Sequence, residues 1–75
     1  MELTIEQALQ QGVAAHREGK LQDAERLYRA ILQSQPTHPD ANHNMGVLAV
    51  GVGKVAAALA YFNAAVSSYS NKNQF

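Results

Sequence analysis

Residues 12–36 read GVAAHREGKLQDAERLYRAILQSQP, and residues 46–70 read GVLAVGVGKVAAALAYFNAAVSSYS. Shifted by 34 residues, Gly12 falls on Gly46, Val13 on Val47, Ala15 on Ala49, Gly19 on Gly53, Lys20 on Lys54, Ala24 on Ala58, Ala30 on Ala64 and Ser34 on Ser68. These are eight identities among the 32 pairs from Ile5/Pro39 to Pro36/Ser70. Leu21 with Val55, Tyr28 with Phe62 and Leu32 with Val66 are conservative pairs. A fixed period of this length marks stacked supersecondary units that bury a core between them. The matched residues are also the physically demanding ones. Gly12 and Gly46 let two helices of a hairpin approach closely, and Gly19 and Gly53 suit the turn. Ala24 and Ala58 sit where a second helix crosses a first. Tyr28 and Phe62 fill the gap toward the next unit.

Local signals divide each unit into two helices. Thr4 with Gln7 three residues on is a capping box, so a first helix starts at Ile5, runs to about Glu18 and stops at Gly19. A second spans Leu21 to Ser34, with Leu21, Ala24, Leu27, Tyr28, Ile31 and Leu32 as its apolar stripe and Pro36 beyond its end. Pro39 suits the first turn of a third helix, helped by Asp40, which runs to about Val50 before Gly51 and Gly53. A fourth fits Val55 to roughly Ser68, and Ser67 to Phe75 read as a polar, fraying tail. Strand signals are weak, so the expected fold class is all-α, four helices with short turns.

The combination of Gly12, Gly19, Ala24, Tyr28 and Pro36 with Gly46, Gly53, Ala58 and Phe62 resembles two tandem tetratricopeptide repeats, over about residues 5–70. The run LYRAILQSQPTHPDANHNMGVLAV is similar to the N-terminal arrays of bacterial tetratricopeptide repeat proteins that precede a glycosyltransferase-like or similar catalytic domain. There are departures: Ser70 stands where the second repeat should have its Pro, Ala8 and Gln11 replace larger apolar residues, and no polar capping helix follows. The resemblance implies two helix–turn–helix hairpins in a short right-handed solenoid. The expected organisation is a cap over residues 1–4, repeats over 5–38 and 39–70, and a disordered tail over 71–75.

The resemblance also implies a protein-interaction module. In this family the first helix of each repeat lines a concave face that holds an extended peptide or a partner helix. Carried over by position, that face comprises Glu6, Leu9, Gln10, Val13, His16 and Arg17, then Asp40, His43, Asn44, Val47 and Val50. Asn44 is the leading candidate, because an amide both donates to and accepts from a peptide backbone; Gln10 is its repeat mate. The carboxylate clamp of some relatives needs basic and amide residues where Leu9 and Val13 stand, so that mode is rejected. The runner-up role is structural: a terminal segment of a longer array attached to a catalytic domain.

Composition excludes other classes. The chain has 75 residues, room for one small domain, and six Lys+Arg balance six Asp+Glu. There is no drive toward nucleic acid, and Arg17, Lys20, Arg26 and Arg29 are interleaved with Glu18, Asp23 and Glu25 as on a solvated helix face. The absence of cysteine removes disulfides and thiolate metal sites. The start Met1-Glu2-Leu3-Thr4 lacks the basic and apolar regions of a secretory signal, so a cytoplasmic location is expected. His38 and His43 lie five apart, not at a helical metal spacing, and His16 is remote. Gly51-Val52-Gly53-Lys54 lacks the strand and Ser/Thr of a phosphate loop. No cofactor, metal or catalytic constellation is expected, nor enzyme activity. Met45 to Val66 is long enough for a membrane span, but Lys54 near its centre costs about 2.5–3.5 kcal/mol there. No membrane partner is expected.

Charge is lopsided, and this suggests self-association. Nine of the twelve Lys, Arg, Asp and Glu precede residue 37, and only Lys54 is charged between Met45 and Val66. Val55, Leu59, Tyr61, Phe62 and Val66 make the fourth helix apolar on more than one side, and such a helix is normally covered. Two repeats fall short of the about three that usually close a solenoid core, and so small a core barely offsets chain entropy. A homodimer through the fourth helix is therefore expected, with Gly51 and Gly53 as the hinge for a helix-swapped form. Burying about 400 Å² more per copy is worth ~10 kcal/mol gross, against association costs of about 4–15 kcal/mol.

Overall fold

In the computed structural model, which describes residues 3–72 and side chains through Ser67, the four helices are α1 (Ile5–Arg17), α2 (Leu21–Ser34), α3 (Pro39–Gly51) and α4 (Val55–Lys72). No strand occurs among the described residues. The caps explain the boundaries. Thr4 Oγ1 accepts from the Gln7 N–H at 3.0 Å, and Gln7 Oε1 accepts from the Thr4 N–H at 3.0 Å, closing the capping box. After α1, Gly19 takes φ +77°, its N–H reaches His16 O at 3.1 Å, and the Lys20 N–H reaches Ala15 O at 2.8 Å. The same motif recurs after α3: Gly53 has φ +81°, its N–H donates to Val50 O, and the Lys54 N–H donates to Ala49 O at 2.8 Å. Both pairs of bonds satisfy carbonyls that a helix end leaves free, and the left-handed residue is glycine because a Cβ is strained there.

Two helix limits differ from the sequence reading. Gly51 is the last residue of α3 and not part of the break; Val52 caps the helix and Gly53 alone makes the turn. The fourth helix continues to Lys72, past Ser68, so the expected tail is helical at its start. Ser, Tyr and Asn each cost only about 0.5 kcal/mol in a helix interior, and no Gly or Pro stands there to stop propagation. The remainder of that expected tail, residues 73–75, lies outside the described residues, as do residues 1 and 2 of the expected cap.

Helix α1 packs on α2 and α3 on α4, giving two hairpins, and α3 also lies against α2 and α1. Helix α4 touches α3 alone among the described helices. The core is Ala8, Ala15, Ala24, Tyr28, Ile31, Ala41, Met45 and Leu48, with Ile5, Leu9, Leu32 and Tyr61 packed against it. Of the apolar stripe of α2, Ala24, Tyr28 and Ile31 are buried and Leu21, Leu27 and Leu32 half-buried. Tyr28 and Ile31 contribute about 1.5–3 kcal/mol each through burial. Gly12 is required by Tyr28: a Cβ there would stand 2.5 Å from Tyr28 Cε1. A Cβ at Gly46 would likewise fall inside the contact distance of the Phe62 ring.

The two helical glycines of α1 and α3 that differ in environment should respond oppositely. Gly12→Val is expected to destabilise by about 1–3 kcal/mol, since it must displace a buried ring. Gly51→Ala, with nothing within 4 Å of its added methyl, is expected to stabilise by about 0.5–1 kcal/mol. Urea unfolding of both variants measures the contrast. Burial pushes the Tyr28 hydroxyl above the ordinary tyrosine range, so the fold favours the neutral phenol. That contribution is fully present below pH ~10 and is lost as pH rises through the raised value. Tyr28→Phe is expected to move alkaline unfolding, followed by circular dichroism, to higher pH.

Candidate protein-interaction surface

At 100° per residue, the buried Ala8, Gly12 and Ala15 fix which way α1 faces, and Glu6, Gln10, Val13 and Arg17 fall on its opposite side. Glu6, Gln10 and Arg17 are exposed, and Leu9, Val13 and His16 half-buried, with Leu9 turned toward the core. In α3 the equivalent Asn42, Gly46 and Ala49 are buried too, with Ala41, Met45 and Leu48 buried beside them. Asp40 and His43 are exposed, Asn44 is half-buried, and Val47 and Val50 are 41% and 52% exposed. Because α1 and α3 touch, their outward sides form adjacent strips of mixed character: apolar Val13, Val47 and Val50 among amides and single charges.

On α4, Val55, Leu59 and Val66 are 59%, 58% and 61% exposed. Tyr61 is half-buried against the core, and Phe62 is half-buried over Gly46, its ring centroid 5.7 Å from that of His43. A groove of about 500 Å³ at this end is lined by Asp40, His43, Phe62, Ala65 and Val66. It joins residues of the expected peptide face to residues of the expected self-association face.

Three of the four Lys and Arg residues of the first repeat are locally neutralised. Lys20 pairs with Glu18 at 3.2 Å, Arg26 with Asp23 at 3.3 Å and Arg29 with Glu25 at 2.7 Å, all on the surface. The hydrogen bond that Arg29 donates to the Glu25 carboxylate raises the Arg29 pKa further. Such pairs contribute only a few tenths of a kcal/mol each, about 0.3–0.5 within a helix. No helix among the described residues is long and apolar enough to cross a membrane.

A model of the tetratricopeptide repeat family matches residues 15–74. The chain belongs to the tetratricopeptide repeat family. No curated protein and no solved structure matches it. As a tetratricopeptide repeat protein it is, in general terms, a protein-interaction scaffold.

Two residues that matter to this tetratricopeptide repeat pair escaped the sequence reading. His38 caps α3: its Nδ1 accepts from the Ala41 N–H at 3.1 Å, so the imidazole works as a helix cap. Asn42 is 3% exposed, and its Nδ2 donates to Pro36 O at 3.1 Å, tying α3 to the turn between repeats. The available signal was its register. Asn42, Met45 and Ala49 share one inward stripe, and its repeat mate is the buried Ala8. An amide at such a position has to find a partner. Asn42→Ala removes the donor and leaves the Pro36 carbonyl unpaired; a loss of about 1–3 kcal/mol is expected in thermal or urea unfolding.

Proposed function

We propose that the chain is a cytoplasmic, non-catalytic interaction module that takes an extended peptide or a partner helix along the joined outward sides of α1 and α3. The observation that carries this reading is the adjacency of two uncovered strips from successive repeats, each pairing an amide with valine. Gln10 and Val13 come from one strip; Asn44, Val47 and Val50 come from the next. The valines supply apolar contact. Asn44 and Gln10, one repeat apart, supply amides able to pair with a peptide backbone in both senses. The same module self-associates through the second repeat, whose α4 carries Val55, Leu59 and Val66 in solvent.

A structural reading has one observation of its own. The uncovered side of α4 is where a following element of a longer array, leading to a catalytic domain, would sit. The two readings separate by experiment. Random decapeptides displayed on phage are panned against the full chain, and selected peptides are titrated into labelled protein. Under the interaction reading, one sequence pattern emerges and perturbs the amides of Gln10, Asn44 and Val47. Asn44→Ala then weakens binding by about 5–10-fold, the worth of one backbone-directed hydrogen bond. Peptides that bind Asn44→Ala and Gln10→Ala as tightly as the parent chain, or a selection that yields no pattern, would remove this face from consideration.

A further inference from the structure

Val55, Leu59, Phe62 and Val66 follow one another at spacings of four, three and four residues. This is the 3.5-residue period with which one helix pairs with another, and it draws a single narrow seam along α4. Three of its four members are more than half exposed. The corresponding seam of the first repeat is Leu21, Glu25, Tyr28 and Leu32, of which Tyr28 is buried and the rest half-buried, and α3 lies against that helix. The chain therefore contains one covered copy of this seam and one open copy.

The open copy is the more apolar of the two. Glu25, which holds Arg29 at 2.7 Å, is replaced by Leu59. Asp23, Arg26 and Arg29 are replaced by Ala57, Ala60 and Asn63. Among the described residues the backbone of α4 packs only on α3, so no second helix lies over the side that has lost its charge.

The other end of the molecule is unsuited to cover it. The side of α3 that enters the shared core carries Ala41, Met45 and Leu48. The equivalent positions of α1 are Gln7, Gln11 and Ala14, all exposed, with Gln7 already engaged in the Thr4 cap. A second copy stacked head to tail would press these amides onto the seam without partners. The seam itself is uncharged, so it meets another copy of itself without repulsion.

We infer that two copies of the chain pair end to end through the α4 seam of Val55, Leu59, Phe62 and Val66, about a two-fold axis. The pair closes as a dimer and does not grow into a filament. This deepens the self-association part of the function proposed above and rests on it. A seam of four side chains on one helix falls short of the roughly 800 Å² per partner of a standard stable interface, so the dimer is reversible and depends on concentration.

Sedimentation equilibrium of the full chain, from low to high micromolar concentration, tests this. The mass is expected to rise from one copy to two and stop. Leu59→Glu places at the open seam the residue that the first repeat already carries. It is expected to weaken association by at least ~100-fold with unchanged helicity, because each dimer would bury two unpaired carboxylates. Val66→Lys, at the C-terminal end of the seam, is expected to do the same, and Gln11→Lys at the far end of the molecule is expected to change nothing. Growth past two copies, an effect of Gln11→Lys equal to that of Leu59→Glu, or a dimer that survives both seam variants would overturn this geometry while leaving self-association standing. A single copy at every concentration would defeat the geometry and the self-association reading together.

Discussion

Each hairpin depends on an aromatic ring laid directly on a glycine. Tyr28 occupies the space a side chain at Gly12 would need, and Phe62 does the same at Gly46. The close approach brings small residues to the helix crossings, where Ala24 and Ala58 are essentially inaccessible to solvent. Larger residues at the glycines would push the helices apart and open voids along both seams, since a packed interior has no slack to absorb them. The turns then follow, because helices this close can be joined only by a tight connection. Gly19 and Gly53 provide it with left-handed backbone.

The two repeats share that frame but not its surroundings. Helix α3 is the centre of the molecule, in contact with each of the other three helices. It explains why Tyr28 is buried while its mate Phe62 is only half so. The same side chain position is interior in one unit and boundary in the next, for reasons of neighbour and not of composition.

Most of the architecture was legible in the sequence because its determinants are local or periodic. The Thr4–Gln7 box, Pro39 in the first turn and the two turn glycines all act within a few residues of themselves. The 34-residue register paired Gly12 with Gly46 and Tyr28 with Phe62, but it did not show that each ring lies on the glycine of its own hairpin and not only in the gap toward the next unit. The end of α4 was not legible, because a run of Ser, Tyr and Asn neither favours nor forbids a helix strongly, and context decides. Asn42 and His38 were missed for another reason. Their partners, the Pro36 carbonyl and the Ala41 N–H, are backbone groups whose positions exist only once α3 has docked or begun. For the surface, sequence set the helical register, yet Leu9, expected on the peptide face, turns toward the core. It did not show that Asp40 and His43 meet Phe62 and Val66 in one groove. That meeting depends on how α3 and α4 cross.

The uneven helix contacts bear on how the molecule opens and closes. An element held from one side is released at lower free energy than one held from three, so protection from hydrogen exchange should be graded along the chain. The order runs from strongest at α3 and α2 to weakest at α4. Refolding in the reverse order would build α1, α2 and α3 as the cooperative unit. The last helix would then be added as a flap whose anchoring is the molecule's slackest step.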